Sequence, residues 1–228
     1  MRRIFTLILL MLSSSAWSKE LPVVAGVSLE LAQYRAANIA NVNYRLALDV
    51  PADVSADITG RVQVTFDLAG VTQPVQLDFR EQQQKLRDLR VNGREIEIDF
   101  RNEHLVLPIS ALKVGANTVQ IGFVAGSASL NRNPDYLYTL FVPDRARTAF
   151  PLFDQPDLKA RYDLTLDVPP GWVALGNAAV TTVTEQGDKS RYEFATSNPI
   201  SSYLFAFVAG RFEVITRTLD GRTMTMLH

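Results

Sequence analysis

Alternation of apolar and polar residues with a period of two runs through most of this chain and limits the fold more than any other feature. It is clear in residues 44–48, 62–66 and 75–79. A strand with this pattern buries one face and leaves the other in water. Further strands are predicted over residues 86–91, 95–100, 104–107, 117–124, 161–168, 191–195, 203–209, 212–218 and 222–227. Many short strands at close spacing predict an all-β fold, a saddle-like antiparallel β-sandwich.

Local signals place one helix and two hairpins within this pattern. Ser28 is a suitable N-cap for a short N-terminal helix that ends near Asn38. The dipeptides at residues 92–93 (Asn-Gly) and 220–221 (Asp-Gly) predict tight hairpin turns. No internal repeat or low-complexity linker divides the rest, so one continuous β domain over residues 19–228 is the simplest organisation.

The first eighteen residues have the order of a secretory signal peptide. Arg2 and Arg3 precede an apolar run over residues 4–12, and small residues follow up to Ser18, after which cleavage is expected. No later apolar stretch reaches the roughly 20 residues that a membrane helix needs. The chain has no Cys, which fits an oxidising compartment managed without disulfides. We therefore expect a periplasmic or secreted domain with no membrane span once the signal is removed.

The composition excludes several functions. A formal net charge of -1 argues against a nucleic-acid partner, which normally meets a strong basic excess. The only histidines are His104 and His228, and no H-E-x-x-H, G-x-S-x-G or glycine-rich phosphate loop occurs. His104 is interpreted as a surface or packing residue. The sequence therefore offers no catalytic residue, no metal ligand set and no cofactor site of its own.

The most distinctive block, residues 136–166, is a strand, a loop and a second strand. Pro143, Pro151 and Pro156 stiffen the loop, because each fixes its own φ and restricts the residue before it. Asp154 can fold its carboxylate back onto backbone N–H groups, and Arg145 and Arg147 can pair with nearby acids or with a partner. The residue types alone allow either a rigid structural corner or a docking edge.

The same block resembles the N-terminal domain of aminopeptidase N-type zinc metallopeptidases, which carries the signature A-R-x-x-F-P-x-[FW]-D-[EQ]-P-x-x-K-A-x-[FY]. The signature positions here are Ala146, Arg147, Phe150, Pro151, Phe153, Asp154, Gln155, Pro156, Lys159, Ala160 and Tyr162. Two later stretches, residues 168–177 and 198–212, resemble the "P-x-G-x-x-A-L-S/G-N" and "x-P-M-S-x-Y-L-x-A-F-x-x-G-x-F" stretches of that domain, and residues 34–39 fit its start.

This resemblance implies an N-terminal domain packed on a thermolysin-like catalytic domain of the same longer chain. That second domain would bring the zinc, H-E-x-x-H and the G-x-M-E-N loop, and the complete enzyme would remove N-terminal residues from peptides. The family's N-terminal domain normally contributes a Gln and a Glu near the first substrate residue, and these align with Leu140 and Val142. An apolar pair cannot accept hydrogen bonds from an α-ammonium group. Leu140 and Phe141 are instead candidates to line a substrate pocket, with packing in a strand core as the alternative.

Two functions follow. In the first, the chain is the exported N-terminal domain of a zinc aminopeptidase, catalytically inert by itself and ending within a strand near residues 224–228. In the second, it is a stand-alone, non-enzymatic periplasmic β-sandwich binding module. Residues 140–142, 150 and 152–153 form an apolar neighbourhood. Part of it is expected to be an exposed patch if a partner domain covers it.

Overall fold

A computed structural model describes residues 20–228, so the predicted signal peptide, residues 1–18, lies outside the described residues. Those residues form one α-helix, α1 (Leu29–Asn38), and seventeen strands. The strands are β1 (Ile39–Asp49), β2 (Thr59–Leu68), β3 (Val75–Asp78), β4 (Leu86–Val91), β5 (Arg94–Glu95), β6 (Phe100–Arg101), β7 (His104–Leu107), β8 (Gly115–Val124), β9 (Leu130–Arg132), β10 (Tyr136–Thr139), β11 (Arg161–Val168), β12 (Val173–Gly176), β13 (Val180–Gln186), β14 (Lys189–Phe194), β15 (Phe207–Gly210), β16 (Val214–Leu219) and β17 (Arg222–Leu227). Short 3-10 turns occupy Gln83–Lys85, Ile109–Ala111, Ala146–Thr148 and Ser202–Leu204. The predicted all-β fold with one short N-terminal helix is confirmed.

The strands form four sheets. The largest has eight strands in the order β13-β14-β11-β1-β2-β8-β4-β5. A four-stranded sheet has the order β12-β15-β10-β9, a three-stranded sheet the order β3-β7-β6, and β16 pairs with β17. All strand pairings in the described chain are antiparallel except that of β1 with β11, which is parallel.

A single apolar core joins the three larger sheets. Leu46, Val64 and Val119 of the eight-stranded sheet are fully or almost fully buried, and so are Leu77 of the three-stranded sheet and Leu137 of the four-stranded sheet. The buried positions follow the predicted period of two along β1, β2, β10 and β11. The alternation therefore directs one face of each sheet into the same interior.

The predicted local signals are confirmed at the helix and at both hairpins. Ser28 caps α1, its hydroxyl accepting a hydrogen bond from the Leu31 N–H at 3.2 Å. Asn92 and Gly93 both adopt positive φ, 51° and 81°, in the turn between β4 and β5. Such angles are those of the type I′ hairpin turn that Asn-Gly favours.

Three predictions about strands are wrong. The strand predicted over residues 203–209 begins only at Phe207, because Ser202–Leu204 form a 3-10 turn. The predicted strand over residues 95–100 is interrupted: β5 ends at Glu95, and the chain leaves the large sheet to form β6 at Phe100 in the three-stranded sheet. The polar face predicted for residues 75–79 is not in water, since Gln76 and Asp78 of β3 are buried. Helix α1 covers that face: the Arg35 guanidinium donates to the Gln76 carbonyl at 2.8 Å and to the Asp78 carboxylate at 2.9 Å.

Candidate functional site

The signature corner, residues 144–156, is a compact loop fixed to the core at several points. Leu152 pairs with Asp78 of β3 in an isolated antiparallel bridge. The Phe153 N–H donates to the hydroxyl of Tyr44 on β1 at 2.8 Å, deep in the interior. The Gln155 side-chain amide donates to the Ala32 carbonyl of α1 at 3.0 Å. The corner thus ties α1, β1 and β3 together.

Asp154 holds the corner in shape from inside. Its carboxylate accepts hydrogen bonds from the Arg147 N–H at 3.1 Å and from the Ser202 hydroxyl at 2.6 Å. Burial raises the pKa of this carboxyl, although both hydrogen bonds favour the ionised form. The predicted return of the Asp154 carboxylate to the backbone is confirmed. An acid whose oxygens are taken up by its own fold is structural and does not face a ligand.

A buried ion pair lies directly behind Asp154. Arg35 of α1 forms two hydrogen bonds to the Asp78 carboxylate, at 2.9 and 2.5 Å, and both side chains are almost fully buried. The Asp154 N–H donates to the same carboxylate at 2.7 Å. Burial disfavours the ionised form of Asp78, but the charges and hydrogen bonds of Arg35 and His104 outweigh it and hold the pKa of Asp78 at about 2. Two guanidinium nitrogens thus bind the two carboxylate oxygens, the bidentate arrangement that is common in Arg–carboxylate pairs.

His104 completes this group, which we call the anchor cluster (Arg35, Asp78 and His104). Its Nδ1 lies 2.9 Å from an Asp78 carboxylate oxygen. Its Nε2 lies 2.8 and 2.9 Å from the carbonyl oxygens of Val24 and Gly26. The ring thus lies between the Asp78 carboxylate on one side and two backbone carbonyl groups on the other. His104 therefore fastens the segment before α1 to the core, in keeping with the packing role predicted for it.

The signature also contains the predicted ion pair. The Arg147 guanidinium contacts the Asp144 carboxylate at 2.5 Å, and Arg80 reaches the same carboxylate at 3.6 Å. The Arg145 guanidinium instead donates to the Ala128 carbonyl. These arginines serve the fold of the corner.

An apolar strip runs along the strand that leads into the corner. Tyr136, Tyr138, Leu140 and Val142 all point outward from β10 and its continuation, while Leu137 and its neighbours at alternate positions are buried. The rings of Tyr136 and Tyr138 stack at 6.1 Å between centroids. A solvated strand face normally carries polar side chains, so four outward apolar residues in a row are unusual.

The two residues predicted to line a substrate pocket, Leu140 and Phe141, differ in exposure. The Leu140 side chain is 49% exposed and belongs to the apolar strip, whereas Phe141 is 2% exposed. The Phe141 ring packs against Phe150 and Phe205 with centroids 6.1 and 6.2 Å away. Only Leu140 is therefore available at the surface, and its role in lining a substrate pocket stays a prediction.

The anchor cluster was not predicted from the sequence, because its members are far apart in the chain and ordinary in their local context. The alternation over residues 75–79 predicts a solvent-facing position for Asp78, and the sequence around Arg35 predicts no buried partner for it. No local signal could have found them, because Gln76 and Asp78 alternate with apolar residues as they would on a wet strand face.

Within residues 20–228, no group of three or more His, Asp or Glu is placed to hold a metal ion. The same residues contain no helix that is both long and apolar enough to cross a membrane.

Comparison with known proteins agrees with this geometry. Residues 40–204 match the sequence model of the Peptidase M1 N-terminal domain. Aminopeptidase M1-A of Oryza sativa subsp. japonica is 31% identical over 184 residues, which are 77% of this chain and 21% of that protein. Probable M1 family aminopeptidase 1 of Encephalitozoon cuniculi is 30% identical over 169 residues, 68% of this chain and 19% of that protein. Aminopeptidase N of Streptomyces lividans is 30% identical over 143 residues, 57% of this chain and 16% of that protein.

The matched part covers about a fifth of the length of these relatives. It includes the signature corner, the apolar strip and most of the three larger sheets. This chain therefore belongs to the M1 peptidase family and carries the N-terminal domain of an aminopeptidase N-type enzyme.

Proposed function

We propose that this chain is the N-terminal domain of an exported, zinc-dependent aminopeptidase that removes N-terminal residues from peptides. In this proposal the domain packs on a catalytic domain of the same polypeptide, covers and shapes the active site, and is catalytically inert by itself. The names of the relatives support the activity, and the apolar strip supports the packing.

The apolar strip is the observation that carries the proposal. Leu140 and Val142 are about half exposed, and Tyr136 and Tyr138 lie beside them in the same outward row. Removing such a row from water is favourable at roughly 25 cal/mol per Å² of apolar surface. Because the strip leads directly into the signature corner, the rigid corner fixes the position of the surface that another domain would cover.

The same residues define what this domain can offer a substrate. Leu140 and Val142 have no side-chain hydrogen-bond acceptor, so their side chains cannot bind the ammonium group at the amino terminus of a peptide. In the complete enzyme, recognition of that ammonium group would rest with the catalytic domain. Leu140 would contribute an apolar wall to the pocket for the first side chain of the substrate.

Zinc would be held outside this domain. A structural or catalytic zinc site needs three or four suitable ligands. The ring nitrogens of His104 are already engaged with Asp78 and with backbone carbonyls. The described residues therefore do not fit a zinc site, and the proposal assigns the metal to the catalytic domain.

The first test is to read the gene beyond codon 228 and to express the complete frame. We expect a frame that encodes G-x-M-E-N and H-E-x-x-H, a product that loses its leader after Ser18 on export, and peptide hydrolysis that a chelator abolishes and zinc restores. Amino-terminal sequencing and an aminopeptidase assay read these results. A stop codon after His228 with no catalytic domain encoded nearby would overturn the enzyme proposal and favour the stand-alone binding module.

The second test addresses the packing. In the complete enzyme, Leu140→Asp is expected to place a charge under the catalytic domain and to lower kcat/KM by about tenfold or more. Val183→Asp is the matched control, since Val183 is equally exposed but lies on β13, at the far edge of the eight-stranded sheet. Equal losses in the two variants would argue against a covered strip.

A further inference from the structure

The outward face of the eight-stranded sheet carries an ordered row of side chains that the proposed function does not use. The strand registers align six residues at one level, on β11, β1, β2, β8, β4 and β5 in turn: Asp163, Arg45, Gln63, Gln120, Arg90 and Glu95. At the next level, Ala47, Arg61, Gly122 and Arg87 stand on β1, β2, β8 and β4. We call Arg45, Arg61, Arg87 and Arg90 the arginine face.

A β-bulge in β4 brings two of these arginines to the same side. Arg87 pairs with Gly122 and Arg90 with Gln120, so three steps along β4 match two steps along β8. Asp88 absorbs the extra residue with a positive φ of 53°. In a regular strand, residues three apart point to opposite faces; the bulge instead places both guanidinium groups outward.

Gly122 makes room for this arrangement. A Cβ on Gly122 would lie 2.8 Å from the Cγ of Arg87 and 3.3 Å from a carboxylate oxygen of Asp88. The first contact is shorter than real Cβ atoms show and the second is tight, so a side chain at position 122 would have to displace the stem of Arg87. Ala47 stands on the same level two strands away, and these two small residues form the floor of a shallow cleft of about 320 Å³.

The cleft is positively charged. Its lining includes Arg45, Arg61 and Arg90 against one acid, Asp88. Two of these arginines have acidic neighbours: Arg61 lies 3.7 Å from Asp88, and Arg90 lies 3.6 Å from Glu95 at the edge of the cleft. Both pairs are long and mostly exposed, so they compete weakly with a ligand. Arg45 forms no ion pair with any residue between 20 and 228.

An amide pair stands between the arginines. The Gln120 side-chain amide donates to the Gln63 side-chain oxygen at 3.1 Å, across neighbouring strands. This single bond leaves the NH₂ group of Gln63 and the oxygen of Gln120 open to a ligand. A donor and an acceptor side by side match the C=O and N–H of a peptide bond. A polyphosphate or nucleic-acid backbone uses only the donor.

We propose that the arginine face binds an extended acidic peptide segment. Peptide bonds of the segment meet Gln63 and Gln120, and carboxylates at its two ends meet Arg45 and Arg90. Arg45 and Arg90 are three strand spacings apart, about 14 Å, and an extended peptide rises about 3.3–3.4 Å per residue. The cleft therefore fits two acidic residues separated by three others. This site is on a different sheet from the apolar strip and does not depend on the proposed aminopeptidase activity.

The test uses the full chain and a fluorescein-labelled peptide with blocked ends and the core Glu-Ser-Ser-Ser-Glu. Fluorescence polarisation at low salt is expected to show saturable binding that weakens as salt rises. The Gln-Ser-Ser-Ser-Gln peptide is expected to bind at least about tenfold more weakly, because it keeps the peptide bonds and loses both charges. The blocked amino terminus removes the group that an aminopeptidase recognises, so the outcome is independent of that activity.

Variants locate the site. Arg45→Gln and Arg90→Gln are each expected to raise the dissociation constant about three- to tenfold, as an exposed charge-assisted contact is lost. Gly122→Val is expected to weaken binding without removing any charge, because its side chain fills the floor of the cleft. Arg222→Gln on β17 is the matched control and is expected to leave binding unchanged.

Three results would overturn the proposal. An acidic peptide that does not bind at low salt would show that the face is only a solvated surface. A loss of affinity in Arg222→Gln equal to that in Arg45→Gln would show that the peptide is held only by the overall charge of the protein. Binding of oligodeoxythymidylate or tripolyphosphate as tightly as the peptide would show that the amide pair does not select a peptide.

Discussion

The signature corner and the apolar strip are adjacent in the sequence and opposite in character. In the corner, the polar side chains of Asp154 and Arg147 are almost entirely buried. In the strip, Leu140 and Val142 are about half exposed. Burying a polar group lowers stability unless its oxygen and N–H groups have hydrogen-bond partners. Exposed apolar side chains in a continuous patch are typical of a surface that another domain or protein covers. Most polar groups of the corner find their partners within this domain, although Arg147 Nε and Gln155 Oε1 are buried without one. The apolar strip has no such cover among the described residues and is suited to a partner.

Removing one charge of the anchor cluster, which supports the corner from behind, should have the largest effect on the stability of the domain. Asp78→Asn leaves the Arg35 guanidinium and the His104 ring without a buried counter-charge, so we expect a loss of about 3–5 kcal/mol in the free energy of unfolding. Urea denaturation followed by tryptophan fluorescence measures it. Asp135→Asn is the matched control: its pair with Arg211 is long and exposed, and the expected change is within about 0.5 kcal/mol. A similar loss in both variants would contradict a special role for the buried cluster.

Low pH should destabilise the anchor cluster through the protonation of Asp78. The folded pKa of Asp78 is about 2, below its ordinary value of 3.8. Its contribution of about 2 kcal/mol is therefore complete above about pH 4 and is lost as the pH falls through 2. Asp154 acts in the opposite direction, since its raised pKa favours protonation in the folded state and offsets part of the loss.

Unfolding free energies measured between about pH 5 and pH 2 should show this acid limb in the wild type. In Asp78→Asn the limb should be flatter, because the titrating carboxyl is gone. Identical slopes in the two proteins would place the acid sensitivity elsewhere.

The strip should give the smallest change in stability of the isolated chain. In the double variant Leu140→Ser and Val142→Thr, both side chains already face water, so the unfolding free energy should change by no more than about 0.5 kcal/mol. Binding of an apolar dye such as ANS should fall. Leu137→Ala, on the opposite and fully buried face of the same strand, is expected to lower the free energy of unfolding by about 2–5 kcal/mol instead. Unchanged dye binding in the double variant would show that the strip is not the exposed apolar surface of the chain.

Most of the fold could be predicted because its information is local. The period of two in β1, β2 and β11, the Ser28 cap and the Asn-Gly turn each act within a few residues. The burial of the polar face of β3 could not be predicted in this way. Gln76 and Asp78 alternate with apolar residues as in a wet strand, and only the distant Arg35 and His104 show that the second face is covered.

The candidate site was predictable to a similar extent. The signature motif located the corner, and the turn preferences of Asp indicated the return of the Asp154 carboxylate to the backbone. The separation of Leu140 from Phe141 depends on which way the strand faces, and that is set by the pairing of β10 with β15. The bulge at Asp88 has no signal in the pattern of apolar residues, so the arginine face could not be foreseen.

The parallel pairing of β1 with β11 has a consequence for the order of synthesis. β1 is made early, but one of its two neighbours in the sheet, β11, follows only after the signature corner. At about 5–20 residues per second, the growing chain carries β1 with one open edge for several seconds. Contacts this distant in sequence also form slowly, because a long loop must close first. A nascent chain of this kind stays unfolded for longer than one built from consecutive hairpins, which leaves time for a chaperone to bind it before the sheet closes.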